Sequence, residues 1–212
     1  MKKIIGFSAG GVGRVGNVDR MVQAILEKSG QETEFVKLAD LDYSGCKGCV
    51  QLCAKPQVCM LPDDLQPYYQ KIKEADAVVV GVPVYFDAAN TMATSFLERF
   101  FGYRHVSIPV ADKPFVVAVS GAMRLDAATE QLRHILCDFF RVNLVEVVRY
   151  QSKVPPCFRC GRHQECKIGG LYAMLGEAAC QVKITPEMFT QWENDPATVT
   201  AVETAAARLR SI

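Results

Sequence analysis

The sequence predicts a three-layer α/β fold, a doubly wound five-stranded parallel sheet in the order 2-1-3-4-5, followed by a cysteine-rich C-terminal extension. Three observations carry this expectation. Short β-branched runs alternate with segments whose apolar residues recur at helical spacing. The first run passes directly into a glycine-rich turn ahead of a helix, the place where such sheets take their ligand. Half of the 212 residues are hydrophobic, enough for a substantial core and too many for disorder.

The elements follow in order. Lys3 to Ser8 reads as a buried strand, Gly10 to Gly16 as the turn, and Val18 to Lys28 as a helix with Val18, Met21, Val22, Ile25 and Leu26 on one face. Glu34 to Leu38 is a second strand. A helix opens at Asp63-Asp64 and runs to about Ala75, with carboxylates where the helix dipole favours them. Ala77 to Val82 is a central strand covered on both faces. Thr91 to Phe101 is helical, Phe115 to Ser120 the fourth strand, Ala127 to Phe140 a helix, and Leu144 to Tyr150 the fifth strand. Beyond Tyr150 the pattern changes. Pro155-Pro156, three cysteines and Gly169-Gly170 precede two helical stretches, Leu171–Cys180 and Pro186–Arg210. Residues 1–150 therefore read as one ligand-binding domain with a cysteine loop at 46–59, and residues 151–212 as an extension packed on it.

Composition excludes several classes of function. The 24 basic and 23 acidic residues nearly balance, which gives no support to a nucleic-acid groove or an anionic membrane surface. No apolar run approaches the roughly 18–20 residues of a membrane helix. The apolar opening stops at Gly10-Gly11, too short for a signal peptide. A cytoplasmic protein is expected.

Two segments suit a phosphorylated, flat ligand. Ser8-Ala-Gly-Gly-Val-Gly-Arg14-Val-Gly16-Asn17-Val18 offers backbone N–H groups, a hydroxyl, an amide and a cation at a helix start. It lacks the Lys-Ser/Thr of a nucleotide-triphosphate loop. Pro83-Val84-Tyr85-Phe86, followed by Asn90, places two aromatics on a proline-stiffened turn at the end of the third strand.

Nine cysteines in a reducing compartment speak for metal or redox use over disulfides. Cys46-x2-Cys49-x3-Cys53-x5-Cys59 can bind an iron–sulfur cubane or zinc, or remain free thiols. Cys157, Cys160, His163 and Cys166 recur with two residues between each, and Cys160-Gly161 resembles a metal knuckle. Structural zinc, a second iron–sulfur cluster and free thiols are all open there, with His163 or Cys180 as fourth ligand. His105 and His134 have no cysteine or acidic partner at telling spacing. No Ser-His-Asp order or glycosidase-like carboxylate pair emerges.

Taken together, the Ser8…Arg14…Gly16-Asn17 turn, the Cys46–Cys59 pattern, Pro62-Asp63-Asp64 and the run from Glu74 to Phe86 resemble the NADPH-dependent FMN reductase-like branch of flavodoxin-like proteins, and specifically the iron–sulfur flavoproteins. The resemblance spans residues 1–150. It implies FMN, with its phosphate at Ser8, Arg14, Gly16, Asn17 and Val18, and its ring near Pro83, Val84, Tyr85, Phe86 and Asn90. Ser120 and Gly121 would form a third contact loop. It implies a 4Fe-4S cluster on Cys46, Cys49, Cys53 and Cys59, although the family has two residues between the second and third cysteines where this chain has three. The expected function is electron transfer by a flavin-dependent oxidoreductase, fed by ferredoxin or NAD(P)H, in a homodimer or homotetramer. Alternatives are an NAD(P)H-dependent FMN or quinone reductase without a cluster, and a non-enzymatic metal-binding sensor or interaction module.

Overall fold

The computed structural model describes residues 1–212. Five parallel strands run β2-β1-β3-β5-β6: β1 (Lys3–Ser8), β2 (Glu32–Lys37), β3 (Ala77–Tyr85), β5 (Pro114–Gly121) and β6 (Asn143–Gln151). The two-residue β4 (Ala88–Ala89) folds back antiparallel on the end of β3. This is the flavodoxin-like order anticipated from the sequence.

The sheet forms because its strands bury both faces. In β3, Val78 and Val80 join the aromatic layer while Ala77 and Val79 join the opposite one, with every side chain from Ala77 to Val80 fully buried. Period-two alternation on a central strand yields two cores. One lies under α3 (Gln66–Glu74), α4 (Thr91–Glu98) and α5 (Leu125–Arg133), where Phe7, Tyr69, Phe96, Phe100, Tyr103 and Phe115 pack edge-on and stacked. The other lies under α1 (Asn17–Ser29) and the C-terminal α8 (Pro196–Arg210). There Met21, Val22 and Ile25 meet Val202, Ala205 and Leu209.

Several expected bounds differ. The helix after the cysteine loop starts at Gln66, because Asp63 spends its carboxylate on the Leu65 N–H in a turn before it. The stretch 127–140 is α5 followed by a wider π turn, His134–Phe139. Leu171–Cys180 divides into the short α7 (Gly170–Leu175) and a 3-10 segment, Gly176–Gln181. Pro186–Arg210 is broken into single turns at Pro186–Met188 and Trp192–Asn194 before α8. Asp195 caps α8 by accepting from the Thr198 N–H, with Pro196 in the first turn. A capping aspartate followed by proline forces a fresh helix start.

No helix is long and apolar enough to cross a membrane.

Candidate functional site: a cleft at the strand ends and two cysteine segments

The strand register brings three loops to one place. Ser8 pairs with Gly81, Pro83 with Ser120, and Ser120 with Tyr150. The carboxyl ends of β1, β3, β5 and β6 therefore open onto a common cleft at the point where the order reverses. Gly121 allows β5 to come this close, since a Cβ there would lie 2.8 Å from Val84 Cβ. The cleft has a volume of about 750 Å³, within the usual range for cofactor pockets.

Arg14, Asn17 and Arg20 from the start of α1 form one end, and Val84 to Asp87 the middle. Ser120 and Gly121 form the floor, and the extension supplies a wall that includes Arg159 and Phe189. Three guanidinium groups thus meet at one end. The Arg159 pKa is lowered, first by burial and then by the charges of Arg14 and Arg20. Arg20 is neutralised by Glu193 at 2.6 Å, while Arg14 and Arg159 pair with no carboxylate. Such an end attracts an anion.

The hairpin between β3 and β4 holds its aromatics outward. Phe86 is fully exposed and Tyr85 about half exposed, at 48%. Phe86 and Asp87 both adopt positive φ, 51° and 63°, as a two-residue type I′ connection requires. Glycine and asparagine normally occupy such positions. A bulky aromatic held there at a conformational cost marks a place of use.

The cysteine loop lies elsewhere, between β2 and α3, and none of its cysteines lines the cleft. Cys46 is exposed, while Cys53 and Cys59 are buried. Burial pushes the Cys53 thiol up, and the charges of Cys49, Cys59 and Cys46 add to the push. Cys53 Sγ stands 3.1 Å from His105 Nε2. Arg99 Nε donates to Cys59 Sγ at 3.1 Å. The Arg99 side chain is wholly buried and also pairs with Asp63 at 2.5 Å. Burial alone would lower its pKa; Asp63, Tyr69 and Cys59 together raise it. In the extension, the sulfurs of Cys157 and Cys166 flank Gly169. Across the chain, no three His, Cys, Asp or Glu side chains are already gathered in a coordinating arrangement.

Residues 3–155 match the family model described as NADPH-dependent FMN reductase. The chain belongs to this family. Its relatives include iron–sulfur flavoproteins of Methanocaldococcus jannaschii, 35% identical over 100 residues covering 46% of this chain and 51% of the relative, and of Methanosarcina thermophila, 33% identical over 100 residues covering 46% and 52%. The chain thus matches about half the length of these curated relatives. In fold it resembles an NAD(P)H:quinone oxidoreductase from Methanothermobacter marburgensis, with a TM-score of 0.58, 13% identity, and coverage of 99% of this chain and 98% of the other. It also resembles an FMN-dependent NADH-azoreductase from Bacillus anthracis, with a TM-score of 0.58, 14% identity and coverage of 99% and 100%.

The expected contact residues fall into three groups: those that line the cleft, those whose side chains turn away, and Gly16 and Pro83, which engage through backbone atoms. Arg14, Asn17, Val84, Tyr85, Phe86, Ser120 and Gly121 line the cleft. Ser8, Val18 and Asn90 turn their side chains away from it. Ser8 is fully buried and donates to Asp19 Oδ1 at 2.7 Å. Val18 packs in the core under α1. Asn90 caps α4, accepting from Ala93 N–H at 3.1 Å and donating to the Ala9 carbonyl at 3.0 Å. Gly16 donates its N–H to Asp19 Oδ2 at 2.7 Å, and Pro83 accepts from the Asn90 N–H at 3.1 Å.

Sequence reasoning missed Asp19, Lys37, Arg20, Arg159 and His105. Asp19 is the hub of the first turn. Its buried carboxylate takes the Ser8 hydroxyl, the Gly16 N–H and Lys37 Nζ at 3.1 Å. An acidic residue three positions after Gly16, in the first turn of a helix, is the signal that could have found it.

Proposed function

We propose that the chain is an FMN-dependent oxidoreductase that binds FMN in the strand-end cleft and takes electrons from NAD(P)H. One observation carries the reading most directly: an unpaired pair of arginines at one end of a cofactor-sized cleft and two outward-held aromatics at its middle, both at the switch point of a reductase-family sheet. The residues fit the cofactor. Arg14, Arg159 and the backbone N–H groups of Asn17 and Val18 would hold the phosphate. Pro83 to Phe86 would flank the ring, and Ser120 and Gly121 would meet its polar edge. Bound FMN supplies hydride acceptance and single-electron release. The protein orients the ring between the hairpin and the floor, and the extension excludes water from one side.

In the same reading, Cys46, Cys49, Cys53 and Cys59 hold a 4Fe-4S cluster. The donors fit in kind, four thiols at compact spacing on one loop, and cluster binding would have to gather their sulfurs. Such a cluster carries electrons singly. Ferredoxin is then an alternative donor, and the working form is a cytoplasmic homodimer or homotetramer. A second reading, an NAD(P)H-dependent FMN or quinone reductase with structural thiols, is favoured by the engagement of Cys53 with His105 and Cys59 with Arg99.

Anaerobic purification with flavin, iron and sulfide measured on one sample separates the two. One flavin with iron and sulfide in matching amounts supports the first. Flavin alone, with brisk NADPH oxidation, supports the second. A protein that binds no FMN after reconstitution sinks both.

A further inference from the structure

The segment from Cys157 to Cys166 falls outside the family match and takes no part in the flavin reading, apart from lending Arg159 to the cleft wall. Its local geometry is unusually specific. Cys157 and Cys160 bracket a single helical turn, α6 (Cys157–Cys160), closed by Gly161. Gly161 adopts φ 73° and returns its N–H to the Cys157 carbonyl. A cysteine pair three positions apart, closed by a left-handed glycine, is the backbone framework of a metal knuckle. Further along, Leu171 N–H donates to Cys157 Sγ at 3.3 Å, and Gly169 N–H to Cys166 Sγ at 3.2 Å. Backbone amides thus already face both sulfurs, as they do around metal-bound cysteines.

His163 supplies the deciding observation. It is 8% exposed. Its Nε2 faces the Val182 carbonyl at 2.7 Å, and a carbonyl oxygen only accepts, so Nε2 carries the proton. That leaves Nδ1 as a bare lone pair, buried and without a partner. An unsatisfied buried polar atom costs about 1–3 kcal/mol and calls for an explanation. An imidazole that donates one N–H to a backbone carbonyl while presenting its other nitrogen unpaired is the arrangement of a metal-bound histidine. Cys180 is otherwise occupied, donating to the Glu177 carbonyl at 2.9 Å. Cys160 is exposed and its sulfur makes no hydrogen bond, so turning it inward breaks no existing contact.

We infer that zinc draws Cys157, Cys160, Cys166 and His163 Nδ1, which do not already stand in a coordinating arrangement, into a tetrahedral site. Three sulfurs and one nitrogen match zinc's preference in closed structural sites. On binding, each thiol gives up its proton to solvent and the imidazole keeps its Nε2 proton; nothing is oxidised or reduced. The site ties Cys157–Cys166 to Val182. It thereby steadies the cleft wall, where Phe158 lies edge-on to Phe189 at 6.0 Å and Arg159 sits over the same ring at 5.3 Å. It stands whether or not the flavin reading does.

The test uses the full-length protein in a C46S/C49S background, which disables the other cysteine loop. Zinc is quantified in that protein and after adding H163A, C166S or C180S. About one zinc per chain is expected in the background protein and in C180S, with loss from H163A and C166S. Absence of zinc from the background protein while wild type retains it assigns the metal to the first loop and overturns the proposal. Retention in both H163A and C166S, or loss in C180S, also overturns it. Cobalt titration of the stripped background protein guards against variants that fail to fold. Intense tetrahedral thiolate absorption accompanied by proton release is expected, and a weak octahedral spectrum overturns the site.

Discussion

Arg14 reaches the cleft from a turn whose other polar groups are spent on one another. Ser8, Gly16, Lys37 and Asp19 form a closed set around the Asp19 carboxylate, while Arg14 makes no ion pair. Arg14→Ala should therefore weaken FMN binding about tenfold to a hundredfold, the scale of one charge-assisted bond, and leave the thermal stability of the cofactor-free protein unchanged. Fluorescence titration and a melting curve on the same preparation check both halves. Phe86 and Asp87 predict the opposite pattern. Replacing them by Asn and Gly supplies the residues a type I′ turn prefers, and should stabilise the chain by about 1 kcal/mol while weakening flavin binding. Chemical denaturation and the same titration measure the trade. At this scale the sequence was legible where a residue's role is local. Arg14 and Tyr85-Phe86 were visible because turn and aromatic motifs are contiguous. The partners of Asp19 were not, since Lys37 lies a strand away and a hydroxyl such as that of Ser8 can serve a phosphate or a carboxylate equally well.

Among the elements, the cysteine loop rests on a close backbone approach. A Cβ on Gly102 would lie 2.7 Å from the Cys59 backbone nitrogen and 3.0 Å from the Val58 carbonyl carbon. Gly102→Ala should cost about 1–3 kcal/mol as an overpacked site and shift Cys59 from Arg99. Denaturation and thiol-labelling rates, compared with wild type, report the two effects. The tie between α1 and the Trp192–Asn194 turn is electrostatic. Burial alone would raise the Glu193 pKa, but the hydrogen bond and charge of Arg20 outweigh it, and the value is lowered. A depressed carboxylate contributes stability above its unfolded-state pKa and loses it as pH falls through the folded one. Acidification below the ordinary glutamate range should therefore destabilise wild type more steeply than Glu193→Gln, as measured by denaturation across that range. The breaks after Pro186 escaped the periodicity because single turns such as Pro186–Met188 and Trp192–Asn194 are shorter than the period that would reveal them. His105 escaped because its cysteine partner is 52 positions away.

For the molecule as a whole, the fold was readable because the central strands carry their own evidence: β-branched runs buried on both faces, as in β3 and β5, mark a covered parallel sheet. The cleft's position followed from topology alone. Its far wall did not, because Arg159 and Phe189 come from a segment with no periodic signal, brought back across the strand ends by α8 packing on α1.

That divided construction has a consequence for how the molecule can change. The shared body supplies the floor and the anchor, whereas the wall at Pro155, Pro156, Arg159 and Phe189 to Gln191 lies at or beyond residue 155, where the family match ends. Lineages can thus rewrite the doorway by trading tail sequences, but a trade that loses Arg159 also takes one of the two unpaired cations from the anion-attracting end.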